Sequence, residues 1–264
     1  MTAYRQAPEG VDPSKPNAAR IYDYLLGGKD NYEADRFVAQ RMLAVAPDTR
    51  MLAWFSRQFL IHAVATAAEA GVRQFLDLGA GIPTSPAVHE VAHKTDPAAR
   101  VVSIDYDPVV YAHANAMLVG TPNVTSLIGD VRDPVDLIHR MRTDRLIDFD
   151  QPVAVLCVGV LHYIMDNEYP ERIIARFRDV MAPGSSLAFT HGSSDSVEVF
   201  INRSVNDTLG STAQVQYRSV AEIATMFEGF DIVEPGIVPI QQWLGDDLPD
   251  TGLILLGGIC RIPD

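Results

Sequence analysis

Two cysteines are all this 264-residue chain carries, and their placement excludes two classes of protein at once. Cys157 sits inside a strongly apolar run and Cys260 near the chain end, so there is neither a disulfide framework nor a paired-cysteine metal spacing. That usage suits a reducing cytoplasm. Positive charge is also scarce: 21 Lys plus Arg stand against 34 Asp plus Glu, a formal charge of −13 that opposes long-range attraction to nucleic acid. Long apolar runs are missing too. Nothing approaches the ~20 residues needed to span a bilayer, and Met1 to Gly10 lacks the apolar stretch of a secretion signal. Neither internal repeats nor low-complexity tracts occur. What is present, an apolar fraction of 47% with mean hydropathy +0.05, predicts a soluble globular protein with one large core.

Periodicity divides the chain into an arm, a helical region and an alternating region. Residues 1–16, with three prolines, read as a loose arm. Residues 17–71 are helical in pattern. Asn17 caps a helix through Leu26 that the Gly27-Gly28 pair stops, a second helix spans Asn31 to Ala46, and a third spans Thr49 to Ala70 with Leu52, Phe55, Phe59 and Val64 on one face. From residue 72 strand and helix alternate, which predicts a parallel α/β sheet: strands at Arg73 to Leu78, Arg100 to Asp105, Val124 to Ile128, Pro152 to Val160 and Ser186 to Thr190. A polar, partly helical insertion over 193–217 follows. The Ser219-Val220-Ala221-Glu222 capping box then opens a helix through Phe227, and strands Phe230 to Val238 and Leu253 to Arg261 form an antiparallel hairpin on the sheet edge.

The chemistry begins where the first strand turns. Asp77-Leu78-Gly79-Ala80-Gly81 is an apolar strand ending in Gly-x-Gly, where absent Cβ atoms let backbone approach a ligand. Asp105 closes the next strand 24 residues after Gly81, the spacing at which a βαβ unit presents an acid to ribose hydroxyls. The third strand ends in Gly129-Asp130, and Asp130 is placed to accept the adenine amino group. Ala80, Tyr106 and Val131, beside the glycine turn and the two acids, belong to the same candidate site. NAD fits poorly, because Pro83-Thr84 stand where a dinucleotide fingerprint wants a third glycine, and Asp77 would repel a pyrophosphate. An acid there suits a ligand bearing an ammonium and a sulfonium, which S-adenosylmethionine combines.

Three histidine patterns compete for attention. His89-Glu90-Val91-Ala92-His93 matches the helical zinc signature His-Glu-x-x-His, but Val88, Val91 and Ala92 must pack on the sheet and no third ligand follows, so no metal is expected. His162, in Val160-Leu161-His162-Tyr163 at the end of the fourth strand, lies where a reactive methyl group would sit. It is a candidate general base, with packing against the cofactor or bonding to a loop as the alternative. His191, at the end of the fifth strand, carries the same two readings.

Asp77 to Gly81, Asp105, Gly129-Asp130 and the Leu161-His162-Tyr163 corner together resemble the class I S-adenosylmethionine-dependent methyltransferases. The segment Asn17-Ala18-Ala19-Arg20-Ile21-Tyr22-Asp23-Tyr24-Leu25-Leu26-Gly27-Gly28-Lys29-Asp30-Asn31-Tyr32 is similar, more narrowly, to the opening of a bacterial, chiefly actinobacterial, methyltransferase family long described as a domain of unknown function. The resemblance runs from about Asn17 to Arg261 and implies a Rossmann-like, seven-stranded, mostly parallel sheet whose last strand is antiparallel. It implies Asp77, Gly79 and Gly81 on the methionine side, Asp105 on ribose, Asp130 on adenine and Gly159 at the strand-four corner. By position in the opening signature it puts Tyr22, Gly28 and Asn31 over the cofactor, and it offers Arg57 to the cofactor carboxylate. No catalytic residue is implied, because the class works largely by aligning the nucleophile with the methyl group.

The expected activity is methyl transfer to a small-molecule acceptor, with S-adenosylhomocysteine as product and neither nucleic acid nor membrane as partner. A protein acceptor stays open. Two other readings are a non-catalytic S-adenosylmethionine-binding regulator and a nicotinamide oxidoreductase.

Overall fold

The computed structural model describes residues 11–118, 120–245 and 247–263. Most of the expected arm therefore lies outside the described residues. Three helices lead: α1 (Ala18–Leu25), α2 (Glu33–Val45) and α3 (Thr49–Glu69). The alternating region follows as β1 (Gln74–Leu78), α4 (Val88–Thr95), β2 (Arg100–Asp105), α5 (Pro108–Leu118), β3 (Val124–Ile128), α6 (Pro134–Thr143), β4 (Ala154–Cys157), α7 (Pro170–Arg178) and β5 (Ser186–Gly192). The remainder is α8 (Glu198–Thr208), α9 (Val220–Thr225), β6 (Asp231–Ile232), β7 (Val238–Pro239), α10 (Gln241–Leu244) and β8 (Leu255–Arg261). No described helix is long and apolar enough to cross a membrane.

These strands make one eight-stranded sheet in the order β3-β2-β1-β4-β5-β8-β6, with β7 also on β8. Strands β1 to β5 pair parallel, while β8 runs antiparallel to β5, β6 and β7. The parallel strands are buried on both faces, which is why they read as continuous apolar runs. Side chains alternate along β1: Leu76 and Leu78 join Leu137, Met141 and Phe177 on one face, while Phe75 joins Phe55, Phe59 and Val64 of α3 on the other. Asp77, sharing the face of Phe75, therefore points toward α3.

Three expectations need correction. The fourth strand stops at Cys157 rather than Val160, because Gly159 takes φ +75°, turns the chain and donates its N–H to Thr190 Oγ1 at 2.8 Å. Strand β5 continues two residues past Thr190, because β8 pairs with it as far as Gly192. The single strand expected over 230–238 is two short pieces, since Pro235 offers no N–H to a ladder and Gly236 (φ +99°) bends the chain so that its N–H bonds Val233. The edge position is thus filled by β6 and β7 in turn.

Candidate active site

Strand β1 lies between β2 and β4, so successive crossovers leave it in opposite directions, and the crevice at such carboxyl ends is where open α/β sheets take ligands. A cavity of about 220 Å³ occupies that place. The glycine turn forms its floor. Gly79 and Gly81 hold φ of +68° and +66°, and a Cβ on Gly79 would come within 2.5 Å of Val160 Cγ2. The N–H groups of Gly79 and Ala80 both donate to the Ile104 carbonyl, at 2.8 and 3.0 Å, which clamps the turn against β2.

Asp105 tightens this clamp. Its Oδ2 accepts the Gly81 N–H and its Oδ1 the Asp107 N–H, each at 2.9 Å. Burial nevertheless pushes its carboxyl up to about 6, outweighing the bonds from Asp107 and Gly81 that favour the anion. Asp77 is more perturbed. Burial raises it to about 7 against the pull of the Arg57 guanidinium, with the Asp105 charge adding to the rise, and no described hydrogen bond reaches its carboxylate. Arg57 itself donates through Nη2 to the carbonyls of Thr84 and Pro86, pinning the loop that follows the glycine turn. Its Nε is enclosed without a partner. A buried acid with no described hydrogen bond and a guanidinium with an unused donor thus stand together on the wall.

Of the residues singled out in the sequence, Tyr22, Arg57, Asp77, Gly79, Ala80, Gly81, Asp105, Tyr106, Gly129, Val131, Gly159 and His162 line this cavity. Gly129 has a packing reason as well, since a Cβ there would meet Leu137 Cδ2 at 2.5 Å. Three others stand elsewhere. Asp130 is off the wall between Gly129 and Val131, its Oδ1 taking the Arg132 N–H at 2.9 Å and its carboxylate facing the Arg132 guanidinium. Gly28 and Asn31 build a loop around Asp23: a Cβ on Gly28 would lie 1.9 Å from Asp23 Oδ1, and Asn31 donates to Asp23 Oδ2 at 2.7 Å. Their place in the opening signature is accounted for by that loop.

Residues unassigned from sequence also reach the wall. Arg132 is one, with its guanidinium over the Tyr106 ring at 5.9 Å and its Nη2 on the Tyr163 carbonyl. Its position two residues beyond Asp130 was the available signal. Phe200 and Tyr217 come from the insertion, where no periodicity announced them.

His162 lies against Tyr163 with ring centroids 4.3 Å apart, and its Nδ1 is enclosed without a partner. Burial, helped by His191 and Arg218, pushes it down to about 3, so the imidazole is neutral at pH 7 and a weak base. His191 is tied down instead. Its Nδ1 meets the Gly192 carbonyl and its Nε2 the Arg218 guanidinium, both at 2.9 Å, while Arg218 also grips Asp166 and the Ile164 carbonyl. The His-Glu-x-x-His residues serve α4: Glu90 accepts the Ala87 N–H that opens the helix, and His93 bonds the Ala99 carbonyl. Among the described residues no group of three or more His, Cys, Asp or Glu is placed to hold a metal ion.

Residues 4–262 match the family model described as S-adenosyl methyltransferase. The fold superposes on a candidate methyltransferase from Thermobifida fusca, with TM-score 0.89, 37% identity and coverage of 99% of this chain and 100% of the other. A DUF574 family protein from Streptomyces avermitilis gives TM-score 0.89 and 33% identity over 96% and 99% of the two chains. At the level of fold alone, the mitomycin 7-O-methyltransferase is similar, with TM-score 0.51 and 16% identity over 96% of this chain and 74% of the other. No curated protein matches.

Proposed function

Because the chain belongs to the S-adenosyl methyltransferase family, we propose that it transfers the methyl group of S-adenosylmethionine to a small-molecule acceptor in the cytoplasm. The observation that carries the site assignment is Asp77, an acid buried on the cavity wall whose carboxyl burial holds up at about 7 despite the pull of Arg57. A cationic ligand head favours its carboxylate. The neighbouring Arg57 Nε offers an unused donor to the carboxylate of the same amino-acid head, so the pair fits a zwitterion. Asp105, held by two backbone N–H groups, retains lone pairs for ribose hydroxyls. Tyr106, Gly129 and Val131 border the adenine end, with Arg132 over the Tyr106 ring.

When bound, S-adenosylmethionine supplies an electrophilic methyl on sulfur and leaves as S-adenosylhomocysteine. The chain's part is alignment. Gly159 gives the turn at the end of β4, and the Arg218 bonds to Ile164 and Asp166 hold the segment that carries His162 against the cavity. His162, a poor base at about 3, serves as a neutral hydrogen-bonding partner, and the rate comes from placing the nucleophile in line with the methyl group. Helices in 17–71 and the insertion 193–217 close over the acceptor, contributing Tyr22 and Phe200 to the wall.

Calorimetric titration with S-adenosylmethionine, S-adenosylhomocysteine and NAD tests the reading. Binding of the first two without the third is expected. Binding of NAD with no response to S-adenosylmethionine would overturn it.

A further inference from the structure

The cavity is electrically divided. Its charged wall residues among those described are Asp77 and Asp105 at the ends of β1 and β2, Arg132 after β3, and Arg57, which stands on α3 but reaches to the Thr84 and Pro86 carbonyls of the loop after the glycine turn. The rest of the wall, drawn from α1, α2, α3, α8, the corner after β4 and the segment leading into β8, contains no Asp, Glu, Lys or Arg. Leu52, Leu60, Phe200 and Leu253 supply apolar surface, and Tyr22, Tyr163 and Tyr217 add aromatic rings. Tyr22 uses its hydroxyl on the Ala53 carbonyl and Tyr217 on Ser204, at 2.9 Å each, so both turn ring surface rather than a spare polar group to the space between. Burial keeps both hydroxyls up at about 12 and His162 down at about 3. This half of the cavity therefore carries no charge at neutral pH.

The enclosed His162 Nδ1 has no partner among the described residues. A buried polar atom left without a partner is costly, and a hydroxyl that reaches it supplies one. A charged acceptor would instead lose its hydration with no counter-ion to meet it.

Resting on the methyltransferase reading above, we propose that the acceptor is an uncharged, ring-containing molecule bearing a hydroxyl group, its ring against the apolar wall and its hydroxyl directed to His162. Methylation then forms the oxygen–carbon bond as the carbon–sulfur bond breaks, the electron pair of that bond stays on sulfur, and the hydroxyl proton passes to water. Carboxylated and alkylammonium analogues of the same ring are rejected by the uncharged wall.

The test uses the protein saturated with S-adenosylhomocysteine and three probes of one shape: 2-naphthol, 2-naphthoate and 2-naphthylmethylammonium, titrated at pH 7 by calorimetry. 2-Naphthol is expected to bind at least tenfold tighter than either charged probe. Equal or tighter binding of a charged probe, or no binding of any probe to protein that does bind S-adenosylhomocysteine, overturns the proposal and leaves the methyltransferase reading standing. Failure to bind S-adenosylhomocysteine itself overturns that reading and this proposal with it. His162→Phe, with its fold checked by melting, is expected to weaken 2-naphthol at least fivefold, and an unchanged dissociation constant overturns the hydroxyl contact. Should the variant not fold, the three-probe comparison on the native protein decides.

Discussion

Replacing Asp77 by asparagine is expected to stabilise the ligand-free protein and weaken its hold on S-adenosylmethionine, two opposite effects from one atom change. In the folded chain the Asp77 carboxyl stands at about 7 against an ordinary 3.8, chiefly through burial. A raised carboxyl favours the protonated form, so Asp77 costs nothing below pH 3.8, costs progressively more as the pH rises, and reaches its full cost above pH 7. At about 1.4 kcal/mol per tenfold change that full cost is at most about 4 kcal/mol, and a realised cost of about 2 kcal/mol is expected because relaxation and water penetration reduce burial penalties in real proteins. The asparagine amide does not titrate and keeps the shape. Asp77→Asn should therefore melt about 4 to 8 °C above the native protein at pH 8, with the gain shrinking as the pH falls toward 4. Binding responds in the opposite sense. The cationic head of the cofactor favours the Asp77 carboxylate, so below pH 7 binding must expel a proton, and affinity should fall by up to tenfold per pH unit from pH 7 to 5.5. The variant should lose that slope and bind ten- to about a hundredfold more weakly at pH 7.5, for the loss of a charged hydrogen bond worth about 1.5–3 kcal/mol. Thermal melts with calorimetric titrations across that pH range test both. A variant that melts lower at pH 8, or that binds S-adenosylmethionine within threefold of native, refutes the assignment of Asp77 to the cationic head.

Asp105→Ala should lower S-adenosylmethionine affinity ten- to about a hundredfold by calorimetry, since it removes the acid assigned to ribose and the partner of the Gly81 N–H at once. Gly79→Ala places a methyl group at φ +68° within 2.5 Å of Val160 Cγ2, and should cost at least about 1–3 kcal/mol in urea unfolding and abolish measurable cofactor binding. Arg20→Ala leaves Asp35 and Asp107 buried without their cation and should cost about 3–5 kcal/mol of stability, read as a lower urea midpoint at unchanged slope.

The glycine-turn end of the cavity was legible because its signals are local. Gly79, Gly81 and Asp105 each stand at the end of an apolar run, and the parallel register of β1 with β2 places those ends side by side. Asp130 obeyed the same pattern yet stands off the cavity wall, because its neighbour Arg132 claims the carboxylate, a choice that depends on where Glu168 and Tyr163 lie in space. The far end of the cavity was opaque for the same reason. Phe200 and Tyr217 reach the wall from a segment whose polarity reads as surface, and Tyr217 is seated by Ser204, thirteen residues away and on α8. The edge strand failed where Pro235 and Gly236 interrupt an apolar run long enough to be read as continuous.

The opening signature is informative although part of it stands away from the cavity. Arg20 donates to Asp35 of α2 at 2.8 Å and to Asp107 at 3.0 Å, and all three side chains are almost wholly buried. Asp107 in turn gives its N–H to Asp105, whose other oxygen takes the Gly81 N–H. Asn17 extends the tie by donating to the Tyr106 hydroxyl, while Asp23 gathers Gly28, Asp30 and Asn31 into the turn that follows α1. A continuous run of bonds thus joins the leading helices to the acid assigned to ribose. Buried ion pairs add little net stability over apolar packing, but they admit few alternative geometries. The signature accordingly fixes α1, and Tyr22 with it, relative to the floor of the cofactor site. In a reaction whose rate depends on close alignment of nucleophile and methyl group, that fixed relation gives a segment largely outside the cavity a part in shaping it.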